Sequence, residues 1–77
     1  MRAYALITTK PGTSEEVVKR IKKNVKEAIQ VDTVYGRFDV IVVVETSSID
    51  DINQILYKVI EKDPNIIHTE TSLVMST

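Results

Sequence analysis

Five consecutive β-branched apolar residues, Val40-Ile41-Val42-Val43-Val44, constrain the fold of this chain more than any other stretch. A half-buried strand alternates apolar with polar residues, so an unbroken run of this kind reads as a strand buried on both faces. Tyr35-Gly36-Arg37-Phe38-Asp39 leads directly into it, and the glycine and aspartate read as a turn feeding the strand. Such a corner offers backbone N–H groups and one fixed carboxylate at the edge of a core. Those groups suit the two charges of a small zwitterion.

The flanking elements follow from periodicity. Residues 2–9, with Tyr4, Ala5, Leu6 and Ile7, read as a first strand closed by the turn Lys10-Pro11-Gly12. Thr13 and Glu16 have the spacing of a capping box, and Val17, Ile21, Val25 and Ala28 then recur at helical spacing, with Val18 widening the stripe. This predicts a helix of about four turns. Alternation over residues 29–35 puts Ile29, Val31, Thr33 and Tyr35 on one face of a second strand, and Gly36-Arg37 turns it into the third as a hairpin. Glu45-Thr46-Ser47-Ser48 supplies cap residues, and Asp50 and Asp51 suit the positive end of a helix dipole. Ile49, Ile52, Ile55, Leu56, Val59 and Ile60 form the stripe of that second helix, which Asp63-Pro64-Asn65 ends. In a last strand Ile67, Thr69, Thr71, Leu73 and Met75 alternate with Ile66, His68, Glu70, Ser72 and Val74.

The order β-α-β-β-α-β with right-handed crossovers gives an α+β fold, the ferredoxin-like plait: a four-stranded antiparallel sheet with both helices on one face and the first and third strands at its centre. If Val40, Val42 and Val44 point to the helices, Ile41 and Val43 point away. That second face is too apolar to stay wet. The expectation is a dimeric α/β sandwich formed sheet face to sheet face, with an interface of at least about 1,600 Å² in total. Length argues the same way. A chain of 77 residues makes one domain, 1–77, and a domain this small buries only roughly 60% of its unfolded surface. With no cysteine there are no disulfides, which favours a cytoplasmic setting and leaves oligomerisation as the common remaining means of stabilisation.

Several function classes lose support on composition. The formal charge of −1, from 10 basic and 11 acidic residues, provides no general attraction to nucleic acid or to an anionic membrane. No apolar run approaches the roughly 20 residues of a membrane helix, and the first residues lack the apolar core of a signal peptide. His68 is the only imidazole, which together with the lack of cysteine leaves no usual metal-ligand set and a thin inventory for catalysis. With Gly12 and Gly36 the only glycines, there is no phosphate-binding Gly-rich loop. Lys19, Lys22, Lys23 and Lys26 share one helix face, but Glu15, Glu16 and Glu27 partly balance them and no aromatic residue interleaves, so a solvated face is the simpler reading. Thr69 and Thr71 read alone as β-branched strand residues, and Gly36-Arg37-Phe38-Asp39 alone as a tight hairpin.

Taken together, the opening strand Ala3-Tyr4-Ala5-Leu6-Ile7 with Pro11-Gly12, the Tyr35-Gly36-Arg37-Phe38-Asp39 corner and the closing stretch Ile66 to Val74 with Thr69-x-Thr71 resemble the effector-binding (RAM) domain of the Lrp/AsnC regulators over essentially the whole chain. The resemblance implies dimers that associate into rings, with free amino acids bound in clefts between protomers. Carried over by position, the backbone of Gly36, Arg37 and Phe38 and the carboxylate of Asp39 would meet the amino acid's charged groups. Thr69 and Thr71 would add hydroxyls, from a neighbouring subunit where needed, and Tyr35 would bear on side-chain preference. No cofactor is implied. Family members usually carry a DNA-reading helix-turn-helix before this domain, and none is present in the sequence. The expectation is therefore a stand-alone regulatory module, without direct DNA or membrane binding, able to co-assemble with full-length Lrp/AsnC regulators. Two other readings compete: a purely structural oligomerisation module, and a small dimeric plait enzyme such as a cofactor-free monooxygenase. An ACT domain shares the element order but wants a Gly-rich turn after the first strand, and Thr9-Lys10-Pro11-Gly12-Thr13 supplies neither an acylphosphatase-like phosphate loop nor the Cys-x-x-Cys of a copper chaperone.

Overall fold

The apolar run is the backbone of the sheet. In the computed structural model, which describes residues 1–75, β3 (Val40–Glu45) pairs on one side with β1 (Arg2–Thr9) and on the other with β2 (Ala28–Thr33), and β4 (Ile66–Leu73) completes the order β2-β3-β1-β4. Every pairing is antiparallel. The connections carry α1 (Ser14–Asn24) and α2 (Ile49–Ile55), the latter continuing as a π-helical turn over Leu56–Ile60. This is the expected plait, with β1 and β3 central.

Period-2 alternation decides which residues meet the helices. Ala3, Ala5 and Ile7 of β1 and Val40, Val42 and Val44 of β3 are buried in one cluster with Val17, Val18, Ile21 and Val25 on the α1 side and Ile52, Ile55 and Ile60 on the other. The intervening residues form the opposite face. There Tyr4 pairs with Val43 and Leu6 with Ile41. Gln30 and Asp32 of β2 flank this block on one edge, and Ser72, Glu70 and His68 of β4 on the other. Val43 is only 8% exposed and Ile41 half-buried, although no helix covers this face. At one end Arg2 and Glu45 form an exposed ion pair at 2.7 Å.

Four local expectations need correction. First, α1 stops at Asn24: Val25 takes extended angles (φ −116°, ψ 93°) yet keeps its side chain in the core. A β-branched residue loses little by leaving a helix, and the turn at Lys26-Glu27 lets Ala28 begin β2 opposite Val44. Ala28 is a strand residue, not part of the helical stripe. Second, Thr13 does not form the capping box. Gly12 (φ +78°) folds the chain back, and the Thr13 hydroxyl donates to the Lys10 carbonyl at 2.7 Å instead. The Ser48 cap on α2 does form, its hydroxyl accepting the Asp51 N–H at 3.3 Å. Third, β2 ends at Thr33, so the hairpin is a loop over residues 34–39 and Tyr35 lies outside the strand, fully exposed. Fourth, β4 carries a register shift opposite Thr8 and Thr9, which leaves Ile67 unpaired and 61% exposed while Ile66 packs on the core. A bulge inserts one residue and swaps the faces on either side of it. Met75 lies beyond the end of the strand.

Candidate functional site

The 34–39 loop is built around two backbone anchors. The Val34 N–H donates to the Asp39 carbonyl at 2.9 Å, closing the loop on itself, and the Asp39 N–H donates to the Ile7 carbonyl at 2.8 Å, tying it to β1. Between these anchors the N–H groups of Tyr35, Gly36, Arg37 and Phe38 make no hydrogen bond to another described residue. Gly36 sits at φ +147°, which a side chain would strain although the space beside it is open. Arg37 lies over the Phe38 ring, 5.7 Å from its centroid, and Phe38 is half-buried. The loop thus leaves a run of backbone donors without a partner among the described residues, with Gly36 at its bend.

Asp39 is fixed by a residue to which sequence reasoning gave no role. One of its carboxylate oxygens accepts the Thr9 N–H at 2.8 Å and lies 3.4 Å from the Thr9 hydroxyl. Thr9 is 6% exposed, the one buried polar residue among the described residues. The β1–β3 ladder ends at Ile7 and Val40, so the Thr9 N–H on that side is available to a side chain rather than to a regular ladder partner. A threonine closing a strand just before Lys10-Pro11-Gly12 was the only hint in the sequence, and its partner comes from thirty residues away.

Thr69 and Thr71 reach the same sheet from the other direction. Thr69 pairs with Ile7 and Thr71 with Ala5, on the helix side of β4. Because Ile7 also pairs with Val40, the Asp39 corner and Thr69 flank β1 on opposite sides, two strand spacings or about 10 Å apart. Thr69 lines an open cleft of about 310 Å³ with Glu61, Ile66, Ile67 and His68. None of residues 35–39 contributes to that cleft, and Thr71 is exposed outside it. Within one chain the expected site residues therefore fall into two groups, the 35–39 loop with Asp39 latched to Thr9, and the β4 threonines. No group of three or more potential metal ligands occurs among the described residues, nor any buried side-chain polar atom without a partner. No helix is long and apolar enough to cross a membrane.

Comparison with known proteins gives the arrangement a context. The family profile described as the Lrp/AsnC ligand binding domain matches residues 2–77. Among solved structures, the protein FFRP-DM1 is 32% identical, with a TM-score of 0.89 over 96% of this chain and 97% of its own. A hypothetical protein from Pyrococcus horikoshii is also 32% identical, with a TM-score of 0.90 over 99% of this chain and 90% of its own. A feast or famine regulatory protein from M. tuberculosis, complexed with L-methionine, shares the fold at 18% identity and a TM-score of 0.79; 99% of this chain covers 50% of it. No curated protein sequence matches the chain closely enough to add a further relative.

Proposed function

The chain belongs to the Lrp/AsnC ligand-binding domain family, and from that premise we propose that it is a non-enzymatic, amino-acid-responsive module of transcription regulation that works as a dimer or a ring of dimers. The effector is a free amino acid. Its carboxylate meets the unpartnered N–H groups of the 35–38 loop and its ammonium meets Asp39, while Thr69 and Thr71 of a neighbouring protomer complete the cleft. The observation that carries this reading is the split of the site. Free donors and a fixed carboxylate stand on one side of β1, hydroxyls stand about 10 Å away on the other, and the cleft lined by Thr69 has no share of the loop. A ligand small enough to be an amino acid spans both groups only where two protomers meet. A relative of the same fold complexed with L-methionine supports the ligand class.

The open sheet face supports the assembly. Tyr4, Leu6, Ile41 and Val43 form an apolar block with polar residues on both flanks, the usual layout of an interface core and rim. Co-assembly with full-length Lrp/AsnC regulators follows from the same surface, since a matching face on a relative would serve as well as a second copy. A second reading has one observation in its favour. Asp39 already has an acceptor's role toward Thr9, so the corner could serve the fold alone, in a module that only oligomerises.

Thermal unfolding with each of the twenty amino acids separates the two. An effector at 100 times its dissociation constant adds about 2.7 kcal/mol, or roughly 10–20 °C for a chain of this size. The variant Asp39→Asn keeps an oxygen for the Thr9 N–H but loses the charge. Retention of its melting temperature with loss of the ligand shift is the expected result. The absence of any shift with all twenty amino acids at millimolar concentration leaves the structural module.

A further inference from the structure

A second cleft, of about 490 Å³, lies across the helical layer, lined by Arg20 and Asn24 of α1 and by Lys58, Val59 and Lys62 of the π-helical turn and the residues after it. Its charges are unevenly compensated. The Arg20 guanidinium is committed to Asp63 through two hydrogen bonds of 2.9 Å each, and the Asn24 amide donates to the Arg20 carbonyl at 2.9 Å. Among the described residues, no lysine lies within ion-pair distance of a carboxylate. Lys58 and Lys62 therefore leave two uncompensated positive charges in the cleft. Lys62 rests over the Tyr57 ring, 5.2 Å from its centroid, which gives its ammonium a preferred position. Lys23, three residues after Arg20 on α1, adds a further charge along the same side of the helix.

We propose that this cleft binds a small multivalent phosphate, such as the polyphosphate of a nucleotide, with Lys58 and Lys62 as its ligands and the Arg20–Asp63 pair as a fixed wall. Both lysines line the one cleft, and two like charges there favour an anion with charge on more than one group. A zwitterion fits poorly here. The one carboxylate in the lining, Asp63, already accepts two N–H groups of Arg20 and one of Asn65, and its side chain is only 6% exposed, which leaves little for an ammonium. The volume falls in the range of ordinary small-molecule sites. The turn that carries Lys58 is π-helical, with the Glu61 N–H reaching the Leu56 carbonyl at 2.8 Å, and π turns recur at functional sites.

The cleft shares no residue with the 35–39 loop or with Thr69 and Thr71, so it is tested without any amino acid present and its failure leaves the effector site untouched. Titration of the full chain with tripolyphosphate, with ATP and with a short single-stranded oligonucleotide, at low salt and at about 0.15 M, reads the proposal out by calorimetry. The expected result is saturable binding of tripolyphosphate or ATP at one site per chain, with the two probes distinguishing inorganic phosphate from a nucleotide. The double variant Lys58→Gln/Lys62→Gln, at exposed positions, weakens that binding about tenfold or more with an unchanged circular-dichroism spectrum. Arg2→Gln, at the opposite end of β1 on the face away from the helices, leaves it unchanged. Absence of saturation, equal loss in Arg2→Gln, or binding of the oligonucleotide alone overturns it.

Discussion

On the helix side of the central strands, Ala3, Ala5, Ile7, Val40, Val42 and Val44 are all at most 3% exposed. On the other side the same two strands carry Tyr4, Leu6, Ile41 and Val43, an equally apolar set in which Tyr4 remains 38% exposed and no helix covers any of them. The residues differ in size as well as in burial. In β1 the difference is one of size, with Ala3 and Ala5 on the helix side, where small side chains let the helices approach closely, and the larger Tyr4 and Leu6 on the uncovered face. Apolar character alone does not tell a core from an interface. What tells them apart is what the chain itself supplies to cover each face.

A charge placed on each face breaks the comparison most sharply. Val42→Asp buries a carboxylate among helix-packed side chains with no partner, a change whose cost exceeds the roughly 5 kcal/mol typical of a small domain's stability, so it is expected to abolish the folded circular-dichroism signal. Ile41→Asp, one residue away, is expected to keep that signal while reducing the mass in light scattering to the 8.7 kDa of one chain. Equal loss of structure in both variants would mean that the open face is as much a part of the single-chain core as the covered one.

The two faces also differ in their ion pairs. Arg20 and Asp63 link α1 to the segment after the π-helical turn, and the Asp63 side chain is only 6% exposed. The hydrogen bond from Arg20 holds the Asp63 carboxyl below the usual carboxylate range, against the opposing effect of burial. Arg2 and Glu45 on the open face are both exposed. Asp63→Ala is therefore expected to cost about 1–2 kcal/mol in urea unfolding near neutral pH, while Arg2→Ala leaves the urea midpoint unchanged. Since the folded pKa of Asp63 lies below its unfolded value, near 3.9, its contribution is complete above that value. It fades as the pH falls through the folded pKa, so the gap between wild type and Asp63→Ala should close in acid. A gap that persists unchanged at low pH would point to packing rather than to the ion pair.

A smaller loss than that of Asp63→Ala is expected at the loop. Gly36→Ala meets no atom within 4 Å but must adopt φ +147°, which costs about 1 kcal/mol. Its more telling readout is the amino-acid-dependent thermal shift, which should fall further than stability does if the unpartnered N–H groups of the loop hold the ligand.

The sequence by itself determined the element order, the central place of the Val40–Val44 run, the side of β1 and β3 that meets the helices, and the family. Each of these depends on local periodicity or on short motifs, and a period of two or of 3.6 is visible without knowing what lies across the sheet. The tertiary structure decided what depends on partners distant in the chain. Thr9 became the latch for Asp39, Arg20 found Asp63, the bulge at Ile67 set which residues of β4 face the core, and Asp39 and the β4 threonines came to lie on opposite sides of β1. A hydrogen bond across tens of residues leaves no periodic trace, and a bulge shifts every later side chain by one place, so only the folded chain records either.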